Sequence, residues 1–394
     1  MLYLGIDIGK NTHCASMLDE AGKLIFKAFT FPNTTEGGDS LVALIGKHVS
    51  PSDQLQIGME ATGHYWLSLY SFLLEHDFAA HVINPIQTDG WRKGTEIRKR
   101  KTDAIDSVLI ADLIRYGSFV ETTLSDENVF SLRTLCRFRS YLVDSISDLK
   151  RKIICVLDQV FPEYESIFTN VFGAASKEIL QHYSTPDDLE NISVEALAET
   201  LSRVSRKKIG IDKAEKLSKV AANSFGITFA KDSFAFQLRL LVEQMIFIEN
   251  QVKDVENEIK QILNSLNSPI TSIPGIGVVL GATILSEIGD INKFDDPSKL
   301  VAYAGIDASV SQSGQYESAH NVMSKRGSPH LRRALYQAAL VASNKDPVLI
   351  AFYQKKMSEG KHHKTCIGAV SRKLCYIIYA VLKANRPYEI RQPN

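Results

Sequence analysis

LYLGIDIGKNTHCASMLDEAGKLIFKAFTF, residues 2–31, decides the architecture of the first part of the chain. Leu2 to Ile8 is a short apolar run of strand length, and His13 to Asp19 and Lys23 to Phe31 are two more, the latter pair joined by the turn Glu20-Ala21-Gly22. A three-stranded antiparallel meander is the simplest arrangement. Outward from it the pattern predicts a helix over Ser40 to Lys47, a strand over Leu55 to Glu60, a helix from about Tyr65 to Glu75 and a strand over Ala80 to Ile83, closed by Asn84-Pro85.

Three strands followed by alternating helical and extended units match the order of an RNase H-like α/β fold. The middle of the chain changes character. Leu142, Ile146, Leu149, Ile153, Val156 and Val160 recur in alternating steps of four and three, the heptad seam of a coiled coil. The pattern returns at Leu241, Met245, Ile248, Val252, Val255, Ile259, Ile262 and Leu266. Two long helices are therefore expected, pairing with each other or with another copy, or else packing as ordinary amphipathic helices of one bundle. Between them, residues 161–237 read as a small helical insertion with a basic patch at Arg203, Arg206, Lys207 and Lys208. The expected division is an α/β domain over 1–125, coiled-coil helices over 126–267 interrupted at about 161–237, and a mainly α-helical domain over 268–394.

The chain has 394 residues, and 44% of them are hydrophobic, which excludes a disordered protein. Lys plus Arg number 45 and Asp plus Glu 45, so the formal net charge is zero. Spread evenly, that balance would argue against a phosphate-rich partner. It is not spread evenly: residues 268–394 hold 16 Lys plus Arg against 9 Asp plus Glu. A second concentration is WRKGTEIRKRK, residues 91–101, with Arg92, Lys93, Arg98, Lys99, Arg100 and Lys101. Such a run is more often a solvated face, but this one adjoins an acidic cluster. Five scattered cysteines without a CxxC pair disfavour a disulfide framework or a thiolate zinc site and point to a reducing cytoplasm. No signal peptide is visible at the start, and no run approaches the ~18 apolar residues of a membrane span, so a cytoplasmic protein without a membrane partner is expected.

Four acidic residues stand out. Asp7 lies on the first strand, Glu60 ends a later one in IGMEATGHYW, and Asp103 and Asp106 share one face of a predicted helix, KTDAIDSVLIADLI, with Thr102 as its N-cap. Singly, each reads most simply as a cap, a turn residue or a solvated position. Together, in the order strand, strand, helix, they resemble the acidic set of RuvC-type nucleases. Carboxylates in an apolar strand need a partner, and Mg2+ is the usual one. Two such ions, roughly 3.5–4 Å apart, would clamp the attacking and leaving oxygens of a phosphoryl transfer.

Further on, SIPGIG at 272–277 leads into an apolar helix, Val278 to Ile288. It reads as the turn of a helix-hairpin-helix, with Gly275 and Gly277 leaving N–H groups free for phosphate, or as a plain helix-start turn. MSKRGSPHLRRALYQAA places Lys325, Arg326, Arg332 and Arg333 around a helix start, suited to backbone phosphates. SQSG at 311–314 is a polar loop between apolar segments, and a serine beside glycine alone means a turn.

Taken in order, Asp7, Glu60, Asp103 and Asp106, the PGIG turn, AYAGI, the SG segment and SKRG…LRR resemble the DEDD transposases of bacterial insertion sequences, a family that includes the Piv DNA invertase and bridge-RNA-guided recombinases. The resemblance covers roughly residues 1–120 and 268–390. It implies a RuvC-like domain, a coiled-coil spacer and a C-terminal transposase domain acting as a dimer or tetramer on DNA, at element ends and target, with a noncoding guide RNA. It further implies Mg2+ on the four carboxylates and a nucleophilic serine at Ser313, with Ser311 and, more weakly, Ser324 as competitors. The reading from another mechanism is a RuvC-like Holliday-junction resolvase using metal-activated water, and from another class a catalytically inactive nucleic-acid-binding protein.

Overall fold

A computed structural model of the chain describes residues 1–50, 53–95, 102–117, 119, 126–206, 208–308, 312–313, 316–317 and 322–392. It forms two compact units, Met1–Leu124 and Ser125–Asn394. In the first, β1 (Leu2–Ile8), β2 (Thr12–Asp19) and β3 (Leu24–Pro32) form the antiparallel meander. They are followed by α1 (Thr35–His48), β4 (Leu55–Glu60), α2 (Trp66–Glu75), β5 (Ala80–Ile83), α3 (Pro85–Thr95) and α4 (Asp103–Tyr116). β4 joins β1 in parallel and β5 joins β4 in parallel, giving one mixed five-stranded sheet in the order β3-β2-β1-β4-β5. This architecture is compatible with an RNase H-like domain. The sequence reading stopped at Asn84-Pro85 and did not anticipate α3, which opens on Pro85 and ends at the first residues of the basic run.

The period of two in β1 explains how it is covered on both faces. Leu2, Leu4, Ile6 and Ile8 point into a core with Leu41 and Ile45 of α1 and Leu69 and Leu73 of α2. Tyr3 points the other way, against Ile110, Leu113 and Ile114 of α4. Thr102 caps α4, its hydroxyl accepting from the Ile105 amide at 3.3 Å, and Gly117 ends it at φ 76°.

The second unit is mostly helical. α5 (Glu127–Val160) and α10 (Lys231–Ser265) run antiparallel against each other: Leu132 and Cys136 meet Ile259 and Leu263, while Ile153 and Val160 lie in one cluster with Leu238 and Met245. In α10 the fully buried stripe is Leu238, Val242, Met245, Ile259 and Leu263, offset from the all-apolar seam read from sequence, which shares only Met245 and Ile259 with it. The offset stripe passes through Glu249 and Glu256, which Lys177 and Arg139 neutralise. Between the long helices, α6 (Ala174–His182), α7 (Pro186–Glu190), α8 (Val194–Ser205) and α9 (Ile211–Ala221) add Ile179, Leu189, Leu197 and Leu217 to the same core.

After α10, a short 3-10 turn at Pro269–Ser272 leads to α11 (Val278–Ile288) and α12 (Pro297–Ala304). A two-stranded ladder of β6 (Gln312–Ser313) and β7 (Tyr316–Glu317) follows, then α13 (Pro329–Ala342), α14 (Pro347–Ser358) and α15 (His363–Ala384). α15 is long enough and apolar enough to cross a membrane, contrary to the expectation that no run approaches that composition. Its Ile367, Val370, Leu374 and Ile378 are completely buried in the core shared by α11, α12 and α13, which accounts for the apolar composition without a bilayer.

Candidate functional site

The acidic residues of the first unit are arranged by two glycines. Gly5 of β1 and Gly58 of β4 pair in the parallel register, and both lie under α4. A Cβ on Gly5 would stand 2.1 Å from the Ser107 carbonyl oxygen and 2.3 Å from the Ala111 amide nitrogen, so only glycine lets the helix backbone come this close. One on Gly58 would stand 2.8 Å from the Ile114 side chain. Asp7 and Glu60 each follow their glycine by two residues, so they lie on the same face as the glycines, at equivalent positions one step beyond the last paired residues, Ile6 and Met59. On the other side of Asp7, Cys14 of β2 is its register partner and lies 3.8 Å from the Ser107 hydroxyl. Burial pushes the Cys14 thiol up, and the charges of Asp103 and Asp7 add to that, which places both carboxylates near it.

Each acid has a distinct setting. Glu60 accepts hydrogen bonds from Thr62 at 2.8 Å and from the buried hydroxyl of Thr88 on α3. Asp103 is exposed at the first position of α4. Asp106 is buried, and the Arg92 guanidinium lies 2.9 Å from it. The donors are carboxylate oxygens, which fit a hard divalent cation such as Mg2+ in kind. As arranged here they are spread out: among the described residues no three ligating side chains gather closely enough to share one ion. The sequence reading missed Thr88 and the Arg92 contact. It also missed the repeated signal, Gly5-Ile6-Asp7 and Gly58-Met59-Glu60, in which a glycine two residues before an acid marks a strand passing under a helix.

In the second unit, Ser313 is the last residue of β6 and pairs with Tyr316. Ala308 and Met323 form an isolated antiparallel bridge on either side of this ladder. Ser311 lies outside the described residues. Ser324 donates to the Asp307 carboxylate, and its amide bonds to the Asp307 carbonyl at 3.0 Å. The following loop lies against the end of α12, with Gly327 so close that a Cβ would stand 2.0 Å from the Tyr303 carbonyl oxygen.

The basic positions divide into engaged and open ones. Arg333 makes a two-pronged pair with Asp144 of α5 at 2.7 and 2.8 Å, and Arg332 donates to the Ala304 carbonyl at 3.3 Å. Lys325 and Arg326 are exposed, Lys93 pairs with Asp89 at 2.7 Å, and Arg98, Lys99, Arg100 and Lys101 lie outside the described residues. Gly275, at φ 93°, sits against α13, where a Cβ would be 2.7 Å from the Ala342 amide nitrogen; Gly277 opens onto free space.

A buried ionic network, not anticipated from sequence, ties α5, α11 and the start of α13. Glu287 receives two hydrogen bonds from Arg137, at 2.7 and 3.0 Å, and one from Ser328 at 2.7 Å. Burial pushes its carboxyl up, but those bonds and the charges of Arg137 and Arg133 outweigh it, and the net direction is down.

Comparison with known proteins agrees with both ends of the chain. Residues 4–162 match a family model described as a transposase, of the DEDD IS110 type, and residues 267–354 match the transposase family of IS116, IS110 and IS902. An uncharacterized 44.8 kDa protein of insertion element IS116 from Streptomyces clavuligerus is 24% identical, over 100% of this chain and 97% of its own length. The pilin gene-inverting protein of Moraxella bovis is 26% identical over 99% and 98%, and an uncharacterized 42 kDa protein of insertion element IS900 from Mycobacterium paratuberculosis 25% over 98% and 97%. These likenesses define a DNA transposase/recombinase enzyme. The chain belongs to the DEDD transposase family of insertion sequences IS110, IS116 and IS902. That membership implies dependence on a divalent metal.

Proposed function

We propose that this enzyme cuts and rejoins DNA strands at the ends of an insertion element and at its target, with Ser313 as nucleophile and Mg2+ held by Asp7, Glu60, Asp103 and Asp106. The observation that carries the reading is the parallel register that makes Asp7 and Glu60 neighbours beneath the helix whose first turn holds Asp103 and Asp106. Mg2+ bound there would neutralise charge on the phosphate and the departing oxygen. The Ser313 hydroxyl oxygen forms a bond to phosphorus, the bond from phosphorus to the 3′ oxygen breaks, and the serine proton ends on that oxygen. The product is a 5′-phosphoserine link and a free 3′-hydroxyl. Attack by the 3′-hydroxyl of a partner strand reverses the chemistry, frees Ser313 and exchanges the strands.

The rest of the reading follows the three-part division: a RuvC-like part over 1–125, a coiled-coil part over 126–267 and a transposase part over 268–394. Arg92, Lys93, the basic residues 98–101, the PGIG turn with Gly275 and Gly277, and Lys325, Arg326, Arg332 and Arg333 serve phosphates. Lys325 and Arg326 are the open members of that last set, and Arg332 and Arg333 would have to leave their present partners. A guide RNA and a homo-oligomer complete the picture; an exposed apolar stripe on α10, Phe236, Leu240 and Phe247, supports the latter.

One gel assay tests the chemistry. Ser313→Ala should eliminate the covalent protein–DNA adduct under denaturing conditions, and Asp103→Ala should abolish strand cleavage while DNA binding persists. An adduct that survives in Ser313→Ala, through Ser311 or Ser324, would overturn the nucleophile; cleavage surviving in Asp103→Ala would overturn the metal site.

A further inference from the structure

One large open concavity of the second unit is lined by none of the candidate site residues. It is a groove of about 940 Å³ between α14, α15 and the tail that follows α15. Its floor is one face of α15, where Ala369, Lys373, Tyr376, Ala380 and Ala384 recur at helical spacing. The alanines leave room beside Tyr376, which is 45% exposed, and Lys373 adds a cation to the same face.

The tail that forms one wall is anchored at Tyr388. Tyr388 of the tail donates to Asp346 at 2.7 Å, and its amide donates to Ser272 at 2.8 Å, so the tail is tied down along the groove. On the opposite wall the ring of Phe352 on α14 faces two ammonium groups, that of Lys373 from the floor at 4.7 Å and that of Lys356 at 5.8 Å. Arg386 and Arg391 add exposed charge from the tail. Arg372, the fifth cation, is tied to the Ile306 carbonyl at 3.1 Å. Among the described residues Glu389 is the carboxylate lining the groove against these five cations, and Lys356 also pairs with Glu359 at 2.8 Å, a partner that a phosphate would have to replace.

An apolar floor alone would suit a peptide helix or a second copy of this chain. The excess of positive charge does not favour either, and the separation of roles is specific: an open aromatic face in the floor and positioned cations around it. A duplex offers phosphates but keeps its base faces stacked inside, whereas a single strand offers both. Strand exchange by a DNA recombinase exposes unpaired DNA, so this step rests on the function proposed above. We propose that the groove binds a short segment of single-stranded DNA, with a base stacked on Tyr376 and its phosphates on Lys373, Lys356, Arg386 and Arg391.

The test measures binding of the full chain to fluorescein-labelled oligothymidine by anisotropy. Tyr376→Ala should weaken binding about fivefold or more, Tyr376→Phe should retain it, and neither should alter binding of a duplex of equal length. Lys373→Gln should weaken binding and flatten its dependence on salt. Four results would overturn the proposal: no binding by the wild type, no effect of Tyr376→Ala, equal loss for duplex, or tighter binding of the matching RNA. A fifth would be a fall in oligomer mass on Tyr376→Ala, which would assign the groove to a second copy. The readout involves no cleavage, so a chain that binds oligothymidine through Tyr376 yet forms no serine adduct would overturn the function proposed above and leave the groove standing.

Discussion

Gly5 sets how near α4 approaches β1, and with it where the acids of α4 stand relative to Asp7. A methyl group there meets backbone atoms of Ser107 and Ala111, which cannot rotate away as a side chain can. Gly5→Ala is therefore expected to destabilise the protein by on the order of 3 kcal/mol and to abolish cleavage by shifting Asp103 and Asp106 relative to Asp7. Gly46→Ala in α1, where a Cβ meets nothing within 4 Å, is the matched control and should be neutral or stabilising by roughly 0.5–1 kcal/mol. Thermal unfolding and a nicking assay on the two variants check this, and a Gly5→Ala protein that melts and cleaves normally would sink it. The acids themselves were legible as residue types in strand and helix contexts. What was not legible is that Asp106 faces Arg92 and Glu60 faces Thr88, since both partners sit on α3, a helix the pattern did not reveal.

Secondary structure in the first unit was legible almost throughout, because alternation of apolar and polar residues along a strand, and the Thr102 cap on α4, are local properties. The long helices were legible too, but not which stripe of α10 is buried, because Glu249 and Glu256 look solvent-facing until Lys177 and Arg139 arrive from distant segments. The same holds for Glu287, a single acid in an apolar helix, which is buried only because Arg137 and Ser328 converge on it. Its carboxyl is depressed in the folded protein, so its contribution to stability is fully present above the unfolded value of about 4.3 and is lost as pH falls through the folded value. Arg137→Ala should cost roughly 2–3 kcal/mol, discounted from a fully buried pair because the guanidinium is half exposed. Glu287→Gln should flatten the acid limb of a urea-stability profile measured below about pH 5; a limb as steep as in the wild type would show that this carboxyl is not the linked group.

At the scale of the whole molecule, zero net charge hides its distribution, as the basic residues 268–394 already indicated. The helix pair adds a second large-scale feature: Phe236, Leu240 and Phe247 lie on the side of α10 away from its buried stripe and are 59%, 48% and 63% exposed. If that stripe joins copies of the chain, Phe236→Glu with Phe247→Glu should lower the oligomer mass in light scattering without lowering the melting temperature, and unchanged mass would remove the stripe from the interface. The sequence by itself determined the five strands of the first unit, the two long helices, the acids of the candidate site and the family resemblance, since these depend on residue type and short-range periodicity. The tertiary structure alone decided the register that pairs Gly5 with Gly58, the engagement of Arg333 by Asp144, and the groove along α15. Each depends on segments far apart in sequence meeting at hydrogen-bond or van der Waals distance, and no local pattern encodes which partner will be there.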